Sequence, residues 1–230
     1  MEKLPIRLLA VTSYIDKDDK VADIGSDHGL LPIYLASKGL TDLYASDNKK
    51  GPFERLNSQI NSSGHREKIK TNLADGLNEL PPYIDTLVIA GMGGDLIASI
   101  LSLGQKHLDQ IKKLIVLPHA QEPELRQVIS YLGFSIQDEQ VIEEDGKFYE
   151  IIYALNQPCY VCGIESTFGP VNIRKKTPAF IKKWTNEHDK ISSILKQNDL
   201  PEQRKIELLD LQKRIYDVIT SKGDLQDDFY

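Results

Sequence analysis

Short apolar runs alternate with longer amphipathic segments over the first two thirds of the chain. From about Lys20 to Leu155 the runs have the length of strands and the segments between them have helical spacing, which is typical of an α/β sheet. This pattern predicts strands at VADIG, LYASD, IKTNLA, DTLVIAG and KLIVLP. Two later runs, FSIQDEQVIEE and KFYEIIYAL, flank Asp145-Gly146 and predict an antiparallel hairpin at one edge of the sheet.

Helical spacing dominates both ends of the chain. The amphipathic segment from Ile6 to Ile15 predicts a helix before the first strand. Residues 156–173 are rich in Pro, Gly and Cys and are interpreted as a linker, after which the pattern is helical from Thr177 onward. Two apolar stripes with a break at 198–201 predict an antiparallel helical hairpin, a short coiled coil. The stripes contain Phe180, Trp184, Ile191, Leu195, Leu208, Leu211, Ile215 and Val218. We therefore predict a Rossmann-like domain over 1–156 and a linker with a helical hairpin over 157–230.

Composition narrows the class of protein. The 230 residues are 40% hydrophobic, enough for one domain with a core and an appendage. No apolar run reaches membrane-spanning length and no signal peptide is recognisable at the N-terminus, so a cytoplasmic protein without membrane contact is predicted. Cys159 and Cys162 form a single CxxC, which is half of a zinc site, so no metal is predicted. The net charge of −6 means that nucleic acid would need a local basic patch.

The loop after the first strand, DIGSDHG, carries the first candidate chemistry. Gly25 and Gly29 allow a ligand to approach the backbone closely. The next strand ends at Asp47, where a carboxylate can accept hydrogen bonds from both hydroxyls of a ribose. The spacing differs from the dinucleotide Gly-x-Gly-x-x-Gly, and a carboxylate at Asp23 would repel phosphate but favour an ammonium group. The loop therefore favours S-adenosylmethionine, while a tight strand–helix turn without ligand is the alternative.

Two later loops add to this interpretation. In NLADGL, Asp75 could accept a hydrogen bond from an adenine amino group, and Leu77 could cover the ring. AGMGG follows the next strand, although a glycine-rich helix entrance is an equally good interpretation of it alone. Open α/β sheets place ligands at the carboxyl ends of their strands, and four successive strand ends here have suitable chemistry. The predicted cofactor-binding residues are Asp23, Gly25, Gly29, Asp47, Asn48, Asp75, Gly76 and Gly91.

Several of these motifs together resemble a known family. The segments GSDHGLLPIYL, GPF at 51–53, NLADGL, AGMGGDLI and KFYEII resemble the TrmK family in their order and spacing. Its members are class I S-adenosylmethionine-dependent methyltransferases that methylate N1 of the adenine at position 22 of tRNA. The resemblance covers nearly the whole chain and implies a class I methyltransferase sheet with a C-terminal helical hairpin, the same cofactor and a tRNA partner.

The chain departs from the family's pattern at three places. Leu30 stands where an aromatic residue is common, and Asp95 stands where a basic residue is common. The family's Gln-Pro-Asn after the fifth strand is replaced by the segment around His119. The cofactor residues are unaffected by these differences, which concern the side of the site that meets the substrate.

Methylation of adenine N1 needs alignment more than activation, because N1 has a free lone pair. Positive charge appears on the base during transfer, so a carboxylate near the adenine amino group would stabilise it. Asp27, between the two glycines of the cofactor turn, is the candidate for this catalytic role. His28 could orient Asp27 or contact the substrate. A turn-forming Asp and a His that caps local backbone are the alternatives.

A tRNA partner requires positive surface, which the sequence offers at two places. Basic residues gather where the hairpin begins, and two more lie near the N-terminus; each phosphate contact would make binding depend on salt. A solvated helix face is the alternative interpretation. The predicted RNA-binding residues are Lys3, Arg7, Arg174, Lys175, Lys176, Lys182 and Lys183.

Three functions stay open on the residues alone. The first is a tRNA adenine-N1 methyltransferase. The second is a methyltransferase for another RNA or a small substrate, which Leu30 and Asp95 favour. The third is a non-catalytic nucleotide-binding protein that presents its helical hairpin to a partner.

Overall fold

The computed structural model describes residues 4–157, 161, 163–197 and 199–221, built around one seven-stranded sheet in the order β3-β2-β1-β4-β5-β7-β6. The strands are β1 (Val21–Ile24), β2 (Leu43–Asp47), β3 (Ile69–Leu73), β4 (Thr86–Met92), β5 (Lys113–Pro118), β6 (Phe134–Glu144) and β7 (Lys147–Asn156). The helices are α1 (Ile6–Val11), α2 (Leu30–Ser37), α3 (Lys50–Ser62), α4 (Gly94–Leu103), α5 (Glu122–Tyr131), α6 (Gly163–Phe168), α7 (Pro170–Lys175), α8 (Pro178–Ile194) and α9 (Glu202–Thr220).

The sheet is mixed, as the apolar pattern predicts. Strands β1 to β5 are parallel, and β7 pairs antiparallel with both β5 and β6. Asp145 and Gly146 join β6 to β7 with φ of +50° and +72°. Two successive left-handed residues characterise the tight hairpin turn whose twist matches the strands. The predicted α/β sheet with an antiparallel edge hairpin is therefore confirmed.

Helices cover both faces of the sheet, which explains why its central strands are apolar throughout. On β4, Leu87 and Ile89 pack toward α4 and α5, whereas Val88 packs toward α1, α2 and α3. All three side chains are fully buried. The strands of a parallel sheet that is covered on both faces have continuous hydrophobic sequences. Such a sheet also holds the loops at its strand ends in fixed relative positions.

The segment predicted to be a linker is folded instead. Its helices α6 and α7 bury Phe168 and Asn172 completely. Glu139 on β6 accepts the backbone N–H groups of Val171 at 2.9 Å and Asn172 at 3.2 Å. The linker interpretation was wrong because these tertiary partners, and not local periodicity, stabilise the helices. Cys159 and Cys162 lie outside the described residues.

The C-terminal helices α8 and α9 form the predicted hairpin and pack along their apolar stripes. Phe180 and Trp184 on α8 are buried together with Leu208 and Ile215 on α9. The same core includes Val141 on β6, so the hairpin shares a core with the sheet across the predicted boundary at residue 156.

A buried ionic cluster ties the hairpin to the sheet more firmly. Arg126 on α5 bonds to Glu139 at 2.7 Å and also contacts Glu150 on β7, and all three side chains are at most 1% exposed. Lys183 on α8 completes the cluster with a 2.5 Å contact to Glu150. Within the described ranges, no helix has the length and apolar character needed to cross a membrane.

Candidate functional site

The carboxyl ends of five parallel strands meet at one edge of the sheet. In the order β3-β2-β1-β4-β5, the chain adds β2 and β3 on one side of β1. It then crosses back and adds β4 and β5 on the other side of β1. Ligands in open α/β sheets bind in the crevice at such a reversal, here between β1 and β4. The loops that border this crevice contain the predicted cofactor and catalytic residues.

The first loop is shaped by its own backbone. Gly25 and Gly29 have φ of +78° and +65°, conformations that favour glycine. The N–H groups of Gly25 and Ser26 donate to the Ser46 carbonyl at 2.8 and 2.9 Å, and those of Asp27 and Gly29 donate within the loop. These N–H groups are therefore not aimed outward as a pyrophosphate cradle would require, which agrees with a cofactor without phosphate.

Asp23 lies beneath this loop with a side chain that is only 7% exposed. Burial raises the pKa of the Asp23 carboxyl to about 6, and the nearby Ser26 side chain offsets part of the rise. A nearby ligand cation would favour the ionised form, because opposite charges stabilise each other most where water is excluded.

The second and third loops are linked by their polar side chains. Oδ1 of Asp47 accepts the N–H of Lys49 at 2.8 Å, which leaves the second carboxylate oxygen free for a ligand. Asn48 donates its side-chain amide to Oδ1 of Asp75 at 3.1 Å. The structure thus brings together Asp47, Asn48 and Asp75, which are distant in sequence, at neighbouring strand ends.

The apolar cover for an adenine ring was placed at the wrong residue by the sequence. Leu77 is 2% exposed and packs in the core, where it would contact a side chain added at Gly104. Leu73, at the end of β3, is 47% exposed and is therefore an apolar side chain available to a ligand near this loop. Gly76 has φ of +56°, so its glycine is required by the backbone beside Asp75.

The fourth loop closes the crevice from the side of β4. Gly91 has φ of +81°, and the pairing of β4 with β5 shifts register between Ala90 and Met92. The Met92 side chain lies against the first loop, since a Cβ added at Gly25 would be 1.9 Å from its terminal methyl. Position 94 requires glycine for packing, because a Cβ there would be 2.5 Å from the Gln121 carbonyl oxygen. The sequence interpretation did not identify Met92.

The carboxylate of Asp27 contacts neighbouring side chains and not the backbone of the turn. Its Oδ1 accepts Nε and Nη2 of Arg55 at 3.0 and 2.6 Å, and its Oδ2 lies 3.4 Å from Nε2 of His28. The three side chains are about half exposed, at 43% for Asp27, 50% for Arg55 and 56% for His28. Because the backbone completes the turn, a purely turn-forming role for Asp27 is disfavoured. Arg55 on α3 was missed by the sequence, since only the fold brings it to the first loop.

A further group of side chains lies at the end of β5. The ring of exposed His119 meets Tyr149 edge-on, with centroids 5.8 Å apart. The His119 N–H donates to the Met92 carbonyl at 2.8 Å. The guanidinium of Arg7 lies over the Tyr149 ring, 5.1 Å from its centroid. Arg7 also forms an ion pair with Glu144.

The predicted basic cluster at the start of the hairpin divides into two kinds of residue. Lys182 is 56% exposed and pairs with Glu143 at 2.7 Å. Lys183 is 20% exposed and belongs to the buried cluster around Glu150, so its prediction as a phosphate contact is not supported. The side chain of Lys183 points toward the sheet because its ammonium group is attracted to the buried carboxylate of Glu150. Lys3 lies outside the described residues.

The remaining basic residues stay near the surface. Arg174 is exposed at the end of α7. Lys175 pairs with Asp138, and Lys176 donates to the Ser221 hydroxyl at 2.7 Å. Exposed ion pairs are worth only about 0–1 kcal/mol, so a phosphate could replace the carboxylate partner of Lys175.

The chain is similar to several characterised proteins. A family model described as a methyltransferase domain matches residues 4–152. The tRNA (adenine(22)-N(1))-methyltransferase of Bacillus subtilis (strain 168) is 34% identical over 224 residues, which cover 93% of this chain and 94% of that protein.

Solved structures agree with this relationship. A Streptococcus pneumoniae protein superposes with a TM-score of 0.90 at 32% identity, over 94% of this chain and 100% of that one. Its structure is also known in complex with S-adenosyl-L-methionine. TrmK of M. capricolum, solved with S-adenosyl-homocysteine, superposes with a TM-score of 0.82 at 26% identity, over 94% of this chain and 99% of that one.

The reversal of strand order between β1 and β4 and the acidic residues at the strand ends define a methyltransferase domain, as the family match over 4–152 shows. With its similarity over 93% of its length, the chain belongs to the TrmK family of tRNA (adenine(22)-N(1))-methyltransferases. The resemblance recognised in the sequence is confirmed.

Proposed function

We propose that this protein transfers the methyl group of S-adenosyl-L-methionine to N1 of adenine 22 in tRNA, and that it does so in the cytoplasm. The observation that carries the proposal is the pair of carboxylates, Asp23 and Asp47, at adjacent strand ends of a chain related over 93% of its length to an enzyme of that name. The inward-directed N–H groups of the first loop support a cofactor without phosphate.

The residues at the sheet edge fit this cofactor. S-Adenosyl-L-methionine supplies an activated methyl group bound to a positively charged sulfur. Asp47 would accept the ribose hydroxyls with the oxygen that the Lys49 N–H leaves free. Asp75 would accept the adenine amino group, and exposed Leu73 would cover the ring. Asp23 would attract the methionine ammonium group through its charge.

The protein's main contribution to the transfer is alignment. Adenine N1 needs no base to activate it, and holding two reactants in the correct geometry can lower a barrier by about 7–11 kcal/mol. Arg55 directs both of its donors to one oxygen of Asp27, which leaves Oδ2 to accept a hydrogen bond from the adenine amino group. A carboxylate in that position would stabilise the positive charge that develops on the base. His28, 3.4 Å from Oδ2, would limit where the base can enter.

Exposed cations would bind the tRNA backbone. Arg174, Lys175, Lys182 and Arg7 are the candidates, because each is at least partly exposed and none lies in the buried cluster. When tRNA binds, phosphates would replace Asp138 at Lys175 and Glu143 at Lys182, with release of counterions. Lys176 remains a candidate whose amino group also bonds to Ser221.

Methyl-labelled S-adenosyl-L-methionine and a panel of acceptors test the proposal. Purified protein is incubated with tRNA, with ribosomal RNA and with a small-molecule extract, and the products are digested and analysed by mass spectrometry. We expect label in tRNA as N1-methyladenosine. Exposed Asp95, at the start of α4, favours the second candidate, a methyltransferase for another substrate. Label in another acceptor would select that function, and cofactor binding without transfer would indicate a non-catalytic protein.

A further inference from the structure

The backbone of His119 is held at the carboxyl edge of the sheet, and its imidazole is exposed there. The residue directly follows β5, and its backbone N–H donates to the backbone carbonyl of Met92 at 2.8 Å. Met92 in turn contacts the first loop at Gly25, where an added Cβ would be 1.9 Å from its methyl. His119 is therefore connected through one residue to the loop that borders the cofactor crevice.

Tyr149 packs against the His119 ring, and Arg7 packs in turn on Tyr149. Tyr149 meets the imidazole at 5.8 Å between centroids with an interplanar angle of 64°. Arg7 lies over Tyr149 at 5.1 Å from the ring centroid. Glu144, 9% exposed, pairs with Arg7 and accepts the Ile6 N–H at 2.5 Å, which attaches α1 to this group. Side chains from three distant parts of the chain thus pack as one group, and His119 is its exposed outer member.

The charge of this group suits a nucleobase. Partial burial lowers the pKa of His119, and the positive charges of Arg7 and Lys147 lower it further, which favours the neutral imidazole. A neutral ring can stack on adenine without repelling the cation that N1-methyladenine becomes. Aromatic side chains and histidine commonly stack on unstacked bases of RNA.

We propose that His119 binds the target adenine by stacking its imidazole on the unstacked base. This proposal rests on the methylation of tRNA proposed above and adds the residue that recognises the target. The occupant is a flat base because Tyr149 makes only an edge-to-face contact with His119, whose side chain is otherwise exposed at the carboxyl end of β5.

The test uses tRNA with 2-aminopurine at position 22 and protein loaded with S-adenosylhomocysteine, so that stacking is seen without methyl transfer. Stacking quenches 2-aminopurine fluorescence. His119→Phe keeps a flat ring, whereas His119→Ala removes it. His65→Ala, before β3 at the opposite edge of the sheet, is the matched control.

We expect the parent, His119→Phe and His65→Ala to quench the fluorescence and His119→Ala to lose most of the quenching. The kcat/KM of His119→Ala on ordinary tRNA should fall about 5- to 150-fold, the range for loss of one base–aromatic stack. The affinity for S-adenosylhomocysteine should be unchanged in all variants.

Two results would overturn the proposal while the parent still methylates tRNA. Parent-like quenching and kcat/KM in His119→Ala would show that the base binds elsewhere. Equal losses in His119→Phe and His119→Ala would show that a ring nitrogen, and not stacking, is needed. A parent protein that leaves tRNA unmethylated would instead refute the proposed function itself.

Discussion

Asp47 has one carboxylate oxygen bonded to the backbone and one oxygen free, an arrangement that suits a ribose diol. Asp47→Ala should weaken cofactor binding by about 1.5–3 kcal/mol, as expected for lost hydrogen bonds to a charged group. Calorimetric titration with S-adenosylhomocysteine measures this change. Asp42→Ala removes an exposed carboxylate just before the same strand and should bind as the parent does. Equal affinity in Asp47→Ala would exclude Asp47 from the ribose site.

Asp23 should make the ligand-free protein less stable as the pH rises. Burial raises its pKa from 3.8 to about 6, so the folded state prefers the neutral carboxyl. The stabilising contribution is complete below pH 3.8 and is lost as the pH rises through 6. Asp23→Asn is neutral at every pH and should therefore raise the free energy of unfolding at pH 8 by about 3 kcal/mol, and much less at pH 4.

Urea denaturation at the two pH values measures this difference. The same Asp23→Asn protein should bind S-adenosyl-L-methionine more weakly at pH 8, because the carboxylate that attracts the ammonium group is gone. Higher stability with lower affinity is the combination that marks a residue retained for its ligand. A variant less stable than the parent at pH 8 would refute this account of Asp23.

Asp27 and Arg55 should act as one unit in methyl transfer. Asp27→Asn should keep cofactor affinity and lower the single-turnover rate by about 10²- to 10³-fold, as for removal of one preorganised electrostatic group. Arg55→Met should also slow transfer, but it should add little in the Asp27→Asn background, because both changes remove the same interaction. Lys17→Met, an exposed cation at the amino edge, controls for net charge. Normal single turnover in Asp27→Asn would leave alignment alone to explain catalysis.

The positions of candidate ligand-binding residues at strand ends are predictable from sequence, because the carboxyl end of a strand fixes where they lie. Asp47 and Asp75 are examples, and the fold places them at adjacent loops as expected. Arg55 was not predictable, since a helix residue reaches the first loop only through the packing of α3. The burial of Leu77 was not predictable for a related reason: only the fold shows that it packs in the core, while Leu73 at the end of edge strand β3 is exposed.

At the scale of elements, adjacent lysines on α8 provide a matched pair. Lys183→Met leaves buried Glu150 with one cationic partner fewer and should lower the free energy of unfolding by about 1–3 kcal/mol. Lys182→Met breaks only an exposed pair with Glu143 and should change stability by less than about 1 kcal/mol. Urea denaturation compares the two variants. Equal stability losses would contradict the assignment of Lys183 to the buried cluster.

The same pair separates folding from RNA binding. Lys182→Met should weaken tRNA binding and flatten the dependence of affinity on salt, because one phosphate contact is lost. Lys183→Met should leave the salt dependence unchanged in the folded protein. Removing the whole hairpin after Ile173 is a poorer experiment, because Phe180 and Trp184 share a core with Val141 on β6.

The elements themselves were largely predictable, and the exception is informative. Apolar runs identified the central strands, since burial on two faces demands them, and alternation around the turn at Asp145-Gly146 identified the hairpin of β6 and β7. Helices α6 and α7 were missed because Glu139 and the hairpin core stabilise them from outside the segment.

At the scale of the whole molecule, an acidic protein must bind an acidic partner. The net charge of −6 opposes tRNA at long range, so binding would depend on the exposed cations of α7 and α8 and on partly exposed Arg7 of α1. The cofactor crevice and His119 lie at the carboxyl ends of the parallel strands. The tRNA must therefore present a single base to that edge, which costs a few kcal/mol of unstacking.

Site-resolved methylation of two tRNA transcripts measures which base the protein modifies. The transcripts are identical except that one carries adenine and the other guanine at position 22, and each is incubated with the protein and labelled S-adenosyl-L-methionine. Nuclease mapping by mass spectrometry should find one N1-methyladenosine, at position 22 of the first transcript, and no label in the second. Equal labelling of both transcripts, or label at another nucleotide of the first, would contradict the account.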